Sequence, residues 1–472
     1  MKLKLMGLFR ACLMAASCSP ASPSPAGGSS APASGPSQSL REEEPLPESS
    51  PPPEDLPPDP ALREAAALEL APLVEEICRD RDVTGMSLAV FDRDGVFYEQ
   101  SYGYAVRETG APASADTIYR IASISKSVTA LLSLDLAGQG KLETGAPLSQ
   151  LLGYSLENPA YPGQGVTLEH LLTHTSGIVD SAAYLDALDQ PVLPLLDTVL
   201  PKSWSSCAPG EHYSYSNFAM GLVSGVVEKA AGTPFLDYTR EEVFGSMGID
   251  AAYSYTDIRQ KDQVADIYQS GERTVNMAAW ANMSAKYTQL PLGQLYCLGH
   301  GDLFITAGDL ARFAMIMAGC PREGEPVSLT PELLERMQTV QYSQEEPTDT
   351  GITETMRGLG TQITDHLLEG RRMVGHQGNA YGSICGMFFD PREQTGFVFL
   401  TNGASSAANE AGVYLVNRDI AQAVYTAFFG YEAPVVEVSA SSASSASSAS
   451  SASSAPPVQD AGASPASQVP SE

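Results

Sequence analysis

The chain has 472 residues, 43% of them apolar and 18% charged, with 27 basic side chains against 56 acidic ones and a formal net charge of −29. Nucleic acid needs basic surface to displace counterions from its phosphates, and anionic membrane surfaces make a similar demand, so neither is an expected partner. The acidity itself reads as solubility.

Lys2 and Lys4 precede an apolar stretch, Leu5–Phe9 and Ala11–Ala16, that ends in small residues before Cys18. Residues 1–18 therefore read as an export signal, and the protein as exported to the cell envelope or beyond. Ala15-Ala16-Ser17-Cys18 is a loose bacterial lipobox, which would put a lipid on Cys18 and make that lipid the one membrane contact; the alternative is an ordinary signal cut near Ser17. No later run of about 18 apolar residues is long enough to span a bilayer. Residues 19–60 are Ser/Pro/Ala-rich and then acidic, and 433–472 repeat Ser-Ser-Ala from about Ser439 to Ala455. Neither segment holds enough apolar surface to repay the entropy of ordering, so both read as extended, solvated spacers.

The foldable stretch is 61–432. Its length exceeds what one hydrophobic core usually serves, which predicts two lobes or a joined pair of subdomains. Apolar residues at helical spacing over 62–79 (Leu62, Ala66, Leu70, Leu73, Val74, Ile77) predict an amphipathic helix. Met86–Phe91, an Asp94-Gly95 turn and Val96–Tyr102 predict a hairpin. The middle, about 120–345, reads as mainly helical with long loops. A short strand around Met373–His376, two more at Gly382–Phe389 and Gly396–Thr401, and a helical pattern over Ala407–Phe429 close the domain. The fold class is α/β in the α+β sense: an antiparallel sheet from both chain ends, flanked by helices, with a mainly helical second lobe and a site at the seam.

Cys78, Cys207, Cys297, Cys320 and Cys385 lie in the folded stretch without C-x-x-C spacing, so neither a zinc nor a redox motif is indicated, and an odd count leaves one thiol free. His170 and His174 are four apart, but no third ligand accompanies them, and they read as structural hydrogen-bonding residues. No metal and no cofactor are expected.

Reactive chemistry concentrates at Ser123-Ile124-Ser125-Lys126. The run from Ser123 to Leu136 is helical and almost wholly small or apolar, and residues i and i+3 share a helical face, so the Lys126 amine reaches the Ser123 hydroxyl. A serine hydroxyl needs a base to become a nucleophile, and an amine becomes one when burial lowers its pKa. Tyr215-Ser216-Asn217 opens a second apolar helix, and His376-Gln377-Gly378 ends a strand before Asn379.

The order and spacing of these three motifs resemble the serine beta-lactamase and penicillin-binding family, in its class C and D-alanyl-D-alanine carboxypeptidase branch. Leu171-Leu172-Thr173-His174-Thr175-Ser176-Gly177, the segment from Gly301-Asp302-Leu303 to Asp309-Leu310-Ala311-Arg312-Phe313, and Thr401-Asn402-Gly403 are similar as well. The resemblance covers about 65–430 and implies the beta-lactamase/transpeptidase-like fold. It implies Ser123 as the acylated nucleophile, Lys126 as its proton acceptor or relay, and Tyr215 as a partner base able to protonate the leaving group. Asn217 would hold Lys126 and the substrate's acyl amide, and the backbone N–H groups of Ser123 and Asn379 would form the oxyanion hole. Many members carry Lys-Thr-Gly or Lys-Ser-Gly in the third motif. Here His376 supplies a largely neutral imidazole and Gln377 an amide, with Gly378 and Asn379 completing the substrate-binding strand.

The expected function is thus a serine hydrolase with an acyl-serine intermediate, acting on a small molecule or peptide: a D-amino-acid peptide of the cell wall or a beta-lactam. A broad esterase or amidase of the same fold is the first alternative. A non-catalytic penicillin-recognising binding or sensor module is the alternative from another class.

Overall fold

A computed structural model gives the structure of residues 60–277, 290–345, 347–348, 352 and 355–432. The export signal, Cys18, residues 19–59 of the linker and the 433–472 tail lie outside the described residues. The longer helices are α1 (Pro60–Asp80), α2 (Ser125–Gly138), α3 (Asn217–Ala231), α4 (Ala307–Ala318) and α5 (Leu415–Phe429). The strands are β1 (Gly85–Asp92), β2 (Gly95–Val106), β3 (Ala111–Pro112), β4 (Tyr119–Arg120), β5 (Ile267–Gln269), β6 (Glu272–Val275), β7 (Phe304–Ile305), β8 (Tyr342–Gln344), β9 (Thr355–Arg357), β10 (Gln362–Leu368), β11 (Arg371–Ala380), β12 (Ser383–Asp390) and β13 (Thr395–Thr401).

Nine of these strands form one sheet in the order β3-β2-β1-β13-β12-β11-β10-β9-β8. The β1–β2 hairpin turns at Asp94-Gly95, where Gly95 adopts φ 143° and the Asp94 N–H is accepted by Asp92 Oδ1 at 2.9 Å. β1 then pairs antiparallel with β13, Met86 opposite Thr401, which joins the early and late strands of the folded stretch as the pattern of hairpins predicts. Two small sheets, β4–β7 and β5–β6, sit outside the main one.

Strand alternation sorts the side chains to two cores. On one face Leu88, Val90, Phe388, Phe397 and Phe399 pack against Leu70 and Val74 of α1 and Val416, Ile420 and Val424 of α5. On the other, Ala89, Phe91, Met387, Phe389, Val398 and Leu400 join the apolar residues of α2, α3 and α4. β12 and β13 are buried at every position because both of their faces are covered. Full burial of each large apolar side chain contributes about 1.5–3 kcal/mol, so these two layers dominate the stability.

Several boundaries differ from the sequence reading. β8 to β10 were not expected. β8 and β9 have three residues each, too short to display an alternation, and β10 carries Thr364-Asp365-His366 in its middle. The last helix begins at Leu415 rather than Ala407; the preceding loop closes on itself through Asn409 Oδ1, which accepts the Val413 N–H at 2.9 Å. β11 begins at Arg371 and runs to Ala380, so the strand expected to end at His376-Gln377-Gly378 continues through Asn379. Among the described residues no disulfide forms between the cysteines of the folded stretch. Among the described residues no helix is long and apolar enough to cross a membrane.

α2 is the keystone of the helical side: every residue from Ser125 to Leu136 is buried. Its polar members turn inward and are satisfied there. Ser127 Oγ donates to the Gly360 carbonyl at 2.7 Å, and Thr129 Oγ1 bonds the Tyr253 hydroxyl at 2.8 Å. Gly360 sits at φ +78°, and a Cβ there would lie 2.1 Å from Ala130 Cβ. Gly360→Ala is expected to destabilise the fold by about 2–4 kcal/mol, from left-handed backbone strain and overpacking together. Equilibrium denaturation measures it, with Gly110→Ala, left-handed but sterically open, giving the strain component alone.

Candidate active site

Ser123 lies in a 3-10 turn, Ala122–Ile124, just ahead of α2. The turn is clamped from both sides. The Ile121 N–H bonds the Leu303 carbonyl at 3.0 Å, while Ser125 Oγ donates to the Ala122 carbonyl at 2.6 Å and accepts the Leu303 N–H at 3.1 Å. Arg120, in β4, makes a buried ion pair with Asp302 at 2.8 Å. These contacts hold Ala122 at φ 49°, a conformation that non-glycine residues rarely keep without such support, and the strained residue adjoins Ser123.

Lys126 is buried, and its Nζ lies 3.0 Å from Ser123 Oγ, as the i, i+3 spacing requires. Nζ also donates to Asn217 Oδ1 at 2.8 Å and to the His300 carbonyl at 2.6 Å. Both of these partners are obligate acceptors. A neutral amine has two N–H groups and one lone pair, so with its hydrogens committed to them the lone pair faces the Ser123 hydroxyl. Burial brings the Lys126 pKa down to about 7, with the Asp180 carboxylate opposing the shift. Both protonation states are therefore populated near neutrality.

Tyr215 is hydrogen-bonded to Ser123, and its ring lies 5.0 Å from Lys126 Nζ. Burial pushes its phenol up to about 12, which keeps the hydroxyl protonated at neutral pH. The His174 ring packs on it at 4.3 Å between centroids. Burial, reinforced by nearby positive charge, drives the His174 pKa well below its usual value. Its Nδ1 accepts the Ser216 N–H at 3.2 Å, so the imidazole is a neutral prop for the segment that carries Tyr215 into α3. His170 closes a capping box with Thr167 at the start of the helix Leu168–Leu172. Both histidines thus have hydrogen-bonding roles in the backbone.

Asn217 is oriented by a residue that the motifs do not contain. Asp180 Oδ2 accepts the Asn217 side-chain N–H at 2.8 Å, which turns Oδ1 toward Lys126. Asp180 Oδ1 accepts the Ser216 hydroxyl at 3.1 Å and the Phe218 N–H at 2.8 Å, seating the first turn of α3. The 37-residue separation of Asp180 from Asn217 leaves no local periodicity to reveal the contact.

β11 closes the site from the other lobe. His376 is buried, and its ring is 6.5 Å from that of Tyr215. Nδ1 sits 2.7 Å from the Gln377 carbonyl, a contact that needs an Nδ1–H, so Nε2 holds the lone pair. Burial and nearby cations lower its pKa to about 3, and the imidazole is neutral. Gly378 passes so near the nucleophile's turn that a Cβ would lie 2.5 Å from the Ile121 carbonyl oxygen. Gln377 departs from its expected role. Its side-chain amide donates to the Gly412 carbonyl at 2.7 Å and accepts from the Tyr414 N–H and the Asn417 side chain, so it ties β11 to the start of α5 and to the segment before it. The Asn379 side chain likewise turns to the Tyr414 hydroxyl, at 2.9 Å, leaving its backbone as the part able to serve the site. The alternation of a strand explains both: 376 and 378 face one side, 377 and 379 the other.

A narrow crevice beside Lys126 is lined by Leu172, His174, Met220, Arg357, Gly360, Thr361 and His376. It brings together side chains from the helical side and from β9 to β11. Ser123, Lys126, Tyr215, Asn217 and His376 therefore converge. Asp180, the His300 carbonyl and Arg357 join them without having been foreseen. The set comprises a hydroxyl, a buried amine, a phenol and an amide, and it is suited to acyl transfer.

Comparison with known proteins gives the same frame. The family model described as Beta-lactamase matches residues 70–422. Esterase EstB of Burkholderia gladioli is 32% identical over 183 residues, covering 36% of this chain and 46% of its own length. The D-alanyl-D-alanine-carboxypeptidase/endopeptidase AmpH of Escherichia coli is 26% identical over 234 residues, 49% of this chain and 56% of that protein. The chain thus spans about half the length of these curated relatives. Among solved structures, the octameric penicillin-binding protein homologue from Pyrococcus abyssi superposes with a TM-score of 0.58 at 23% identity, covering 76% of this chain and 77% of that one.

Asp180→Ala releases the Asn217 amide and, through it, the Lys126 amine. Acylation of Ser123 is expected to fall about 100-fold, the scale of a misplacement near 1 Å at a reacting group. Asp180 raises the Lys126 pKa, so its loss moves the acid limb of the rate profile to lower pH. Pre-steady-state acylation rates across pH, beside a thermal melt, separate this from simple loss of a helix cap.

Proposed function

The chain belongs to the beta-lactamase family, and from that premise we propose that it is an exported serine hydrolase working through an acyl-Ser123 intermediate. The arrangement of Lys126 carries the proposal: two fixed acceptors, Asn217 Oδ1 and the His300 carbonyl, leave its third valence to the nucleophile. In the first step Ser123 Oγ attacks the substrate carbonyl and its proton passes to Lys126 Nζ. The backbone N–H groups of Ser123 and Asn379 receive the developing oxyanion. Collapse breaks the bond to the leaving amine or alkoxide, which takes a proton from the Tyr215 phenol; the phenol is reprotonated from Lys126. Water then attacks the acyl ester by the same route, releasing the acid and restoring Ser123. A neutral amine near pH 7 and a phenol with a pKa near 12 favour Lys126 as base and Tyr215 as acid.

The preferred substrate class is a D-amino-acid peptide of the cell wall or a beta-lactam resembling one. The similarity to the D-alanyl-D-alanine-carboxypeptidase/endopeptidase AmpH and the N-terminal export pattern support it. A broad esterase is the second reading, favoured by the neutral His376 on the substrate strand and by the similarity to an esterase. Export, with or without a lipid on Cys18, is part of the same proposal and rests on the sequence of residues 1–18.

A fluorophosphonate and a fluorescent penicillin, each applied to wild type and Ser123→Ala, test the chemistry. Labelling by both at Ser123 supports penicillin recognition, labelling by the phosphonate alone supports the esterase, and no labelling of folded protein overturns the acyl-serine mechanism in favour of a binding module. Lys126→Ala is expected to lower acylation by about 100- to 10,000-fold.

Because Lys126 must be neutral to accept a proton, kcat/KM is expected to rise with pH through about 7 and level off above it. A stopped-flow pH series with a non-ionising ester checks this; a flat profile between pH 5 and 9 would remove Lys126 from the role of base.

A further inference from the structure

His174 follows the helix Leu168–Leu172 with its backbone at φ 59°, a left-handed conformation that a non-glycine residue keeps only where its surroundings hold it. They hold it from several sides. Its own N–H bonds the Leu171 carbonyl at 3.3 Å, the Thr175 N–H bonds the His170 carbonyl at 2.9 Å, and the Gly210 N–H bonds the Thr175 carbonyl at 2.7 Å. Strain kept at a buried residue beside a reactive centre points to a task for that residue.

The contacts of His174 name the task. Its carbonyl accepts the Ser214 N–H at 2.9 Å, and its Nδ1 accepts the Ser216 N–H at 3.2 Å. One residue thus grips the chain immediately before and immediately after Tyr215. Its imidazole packs on the Tyr215 ring at 4.3 Å between centroids, with 30° between the planes. Tyr213 braces the imidazole in turn: its ring meets His174 edge-on at 5.9 Å, and its hydroxyl accepts Arg357 Nη2 at 2.6 Å. Among the described residues no hydrogen bond joins His174 to Ser123 or Lys126, so its influence on the site runs through Tyr215. The Tyr215 phenol is also bonded to Ser123, but that hydroxyl is consumed as the acyl enzyme forms. The grip of His174 outlasts that step.

We propose that His174 is a positioning residue that aims the Tyr215 phenol at the departing group, and that it thereby sets how poor a leaving group the enzyme can expel. This deepens the reading of Tyr215 as the acid and rests on it. As the scissile bond breaks, its electron pair stays on the leaving oxygen or nitrogen, which takes the phenol proton. Lys126 then returns to Tyr215 the proton that it accepted from Ser123. A 4-nitrophenolate leaves as a stable anion without that proton, whereas an alkoxide or an amine requires it. A misaimed phenol therefore penalises alkyl esters and amides more than activated esters.

Ethyl butyrate and 4-nitrophenyl butyrate differ only in the leaving group, and kcat/KM for each reports acylation. His174→Phe keeps a ring but gives up the Nδ1 acceptor, and is expected to lower kcat/KM about 100-fold more for ethyl butyrate than for 4-nitrophenyl butyrate. His174→Asn keeps a side-chain acceptor and tolerates the left-handed backbone. It is expected to show a smaller loss with the same bias, so it carries the test if His174→Phe does not fold. The bias should not add to that of Tyr215→Phe in the double variant His174→Phe/Tyr215→Phe, because both changes act on one proton. Equal effects on the two esters in a folded His174 variant, as a merely structural role gives, overturn the proposal, and so does a bias that adds to that of Tyr215→Phe. Tyr215→Phe alone reports on the reading beneath it. If that variant treats the two esters alike, the acid role of Tyr215 falls; a biased Tyr215→Phe beside unbiased His174 variants removes only the positioning role of His174.

Discussion

A single amine, Lys126 Nζ, is the constraint around which the domain is organised. It is buried, and among the described residues its hydrogen bonds run to the turn of Ser123, the start of α3 and the segment at His300. An ammonium in such a place is costly and an amine is not, so burial, the largest cause of the lowered Lys126 pKa, favours the neutral amine that the proposed base requires. The contacts come from residues separated by 91 and 174 positions, and each is fixed by a further layer: Asp180 behind Asn217, and the Arg120–Asp302 pair beside His300. Chemistry and tertiary structure here have the same cause.

The sheet contributes by bringing β11 against the nucleophile's turn. The absence of a side chain at Gly378 lets the strand approach the Ile121 carbonyl, and the kinked backbone at Ala122 presents Ser123 to the cleft. A strained residue persists when its neighbours over-determine it, and the bonds at Ile121, Ser125 and Leu303 do so. Rigidity at this point serves acyl transfer, where reacting atoms must be held within a fraction of an ångström.

What was legible in the sequence follows from the range of the interactions. The first hairpin, α1 and the closing strands were legible because alternation or helical periodicity is repeated over many residues. Ser123 and Lys126 were legible because three residues separate them. β8 and β9 were not, since three-residue strands show no period. Asp180 and Arg357 were illegible for another reason: their partners, Asn217 and Tyr213, are 37 and 144 residues away, and a lone charged residue in a loop or short strand looks like any solvated one. Gln377 was placed on the substrate strand by resemblance, and the sequence does not show that its side chain turns instead to Gly412, Tyr414 and Asn417, 35 to 40 residues away.

β1 lies between β2, its immediate successor, and β13, whose Thr401 faces Met86 across more than three hundred residues. Contacts of such sequence separation form only after a large loop closes, and they slow folding. During translation the serine and its lysine emerge long before β11 to β13. A nascent chain therefore holds the reactive alcohol without the strand that completes its cleft, and enzymatic competence waits on the carboxyl-terminal third of the domain.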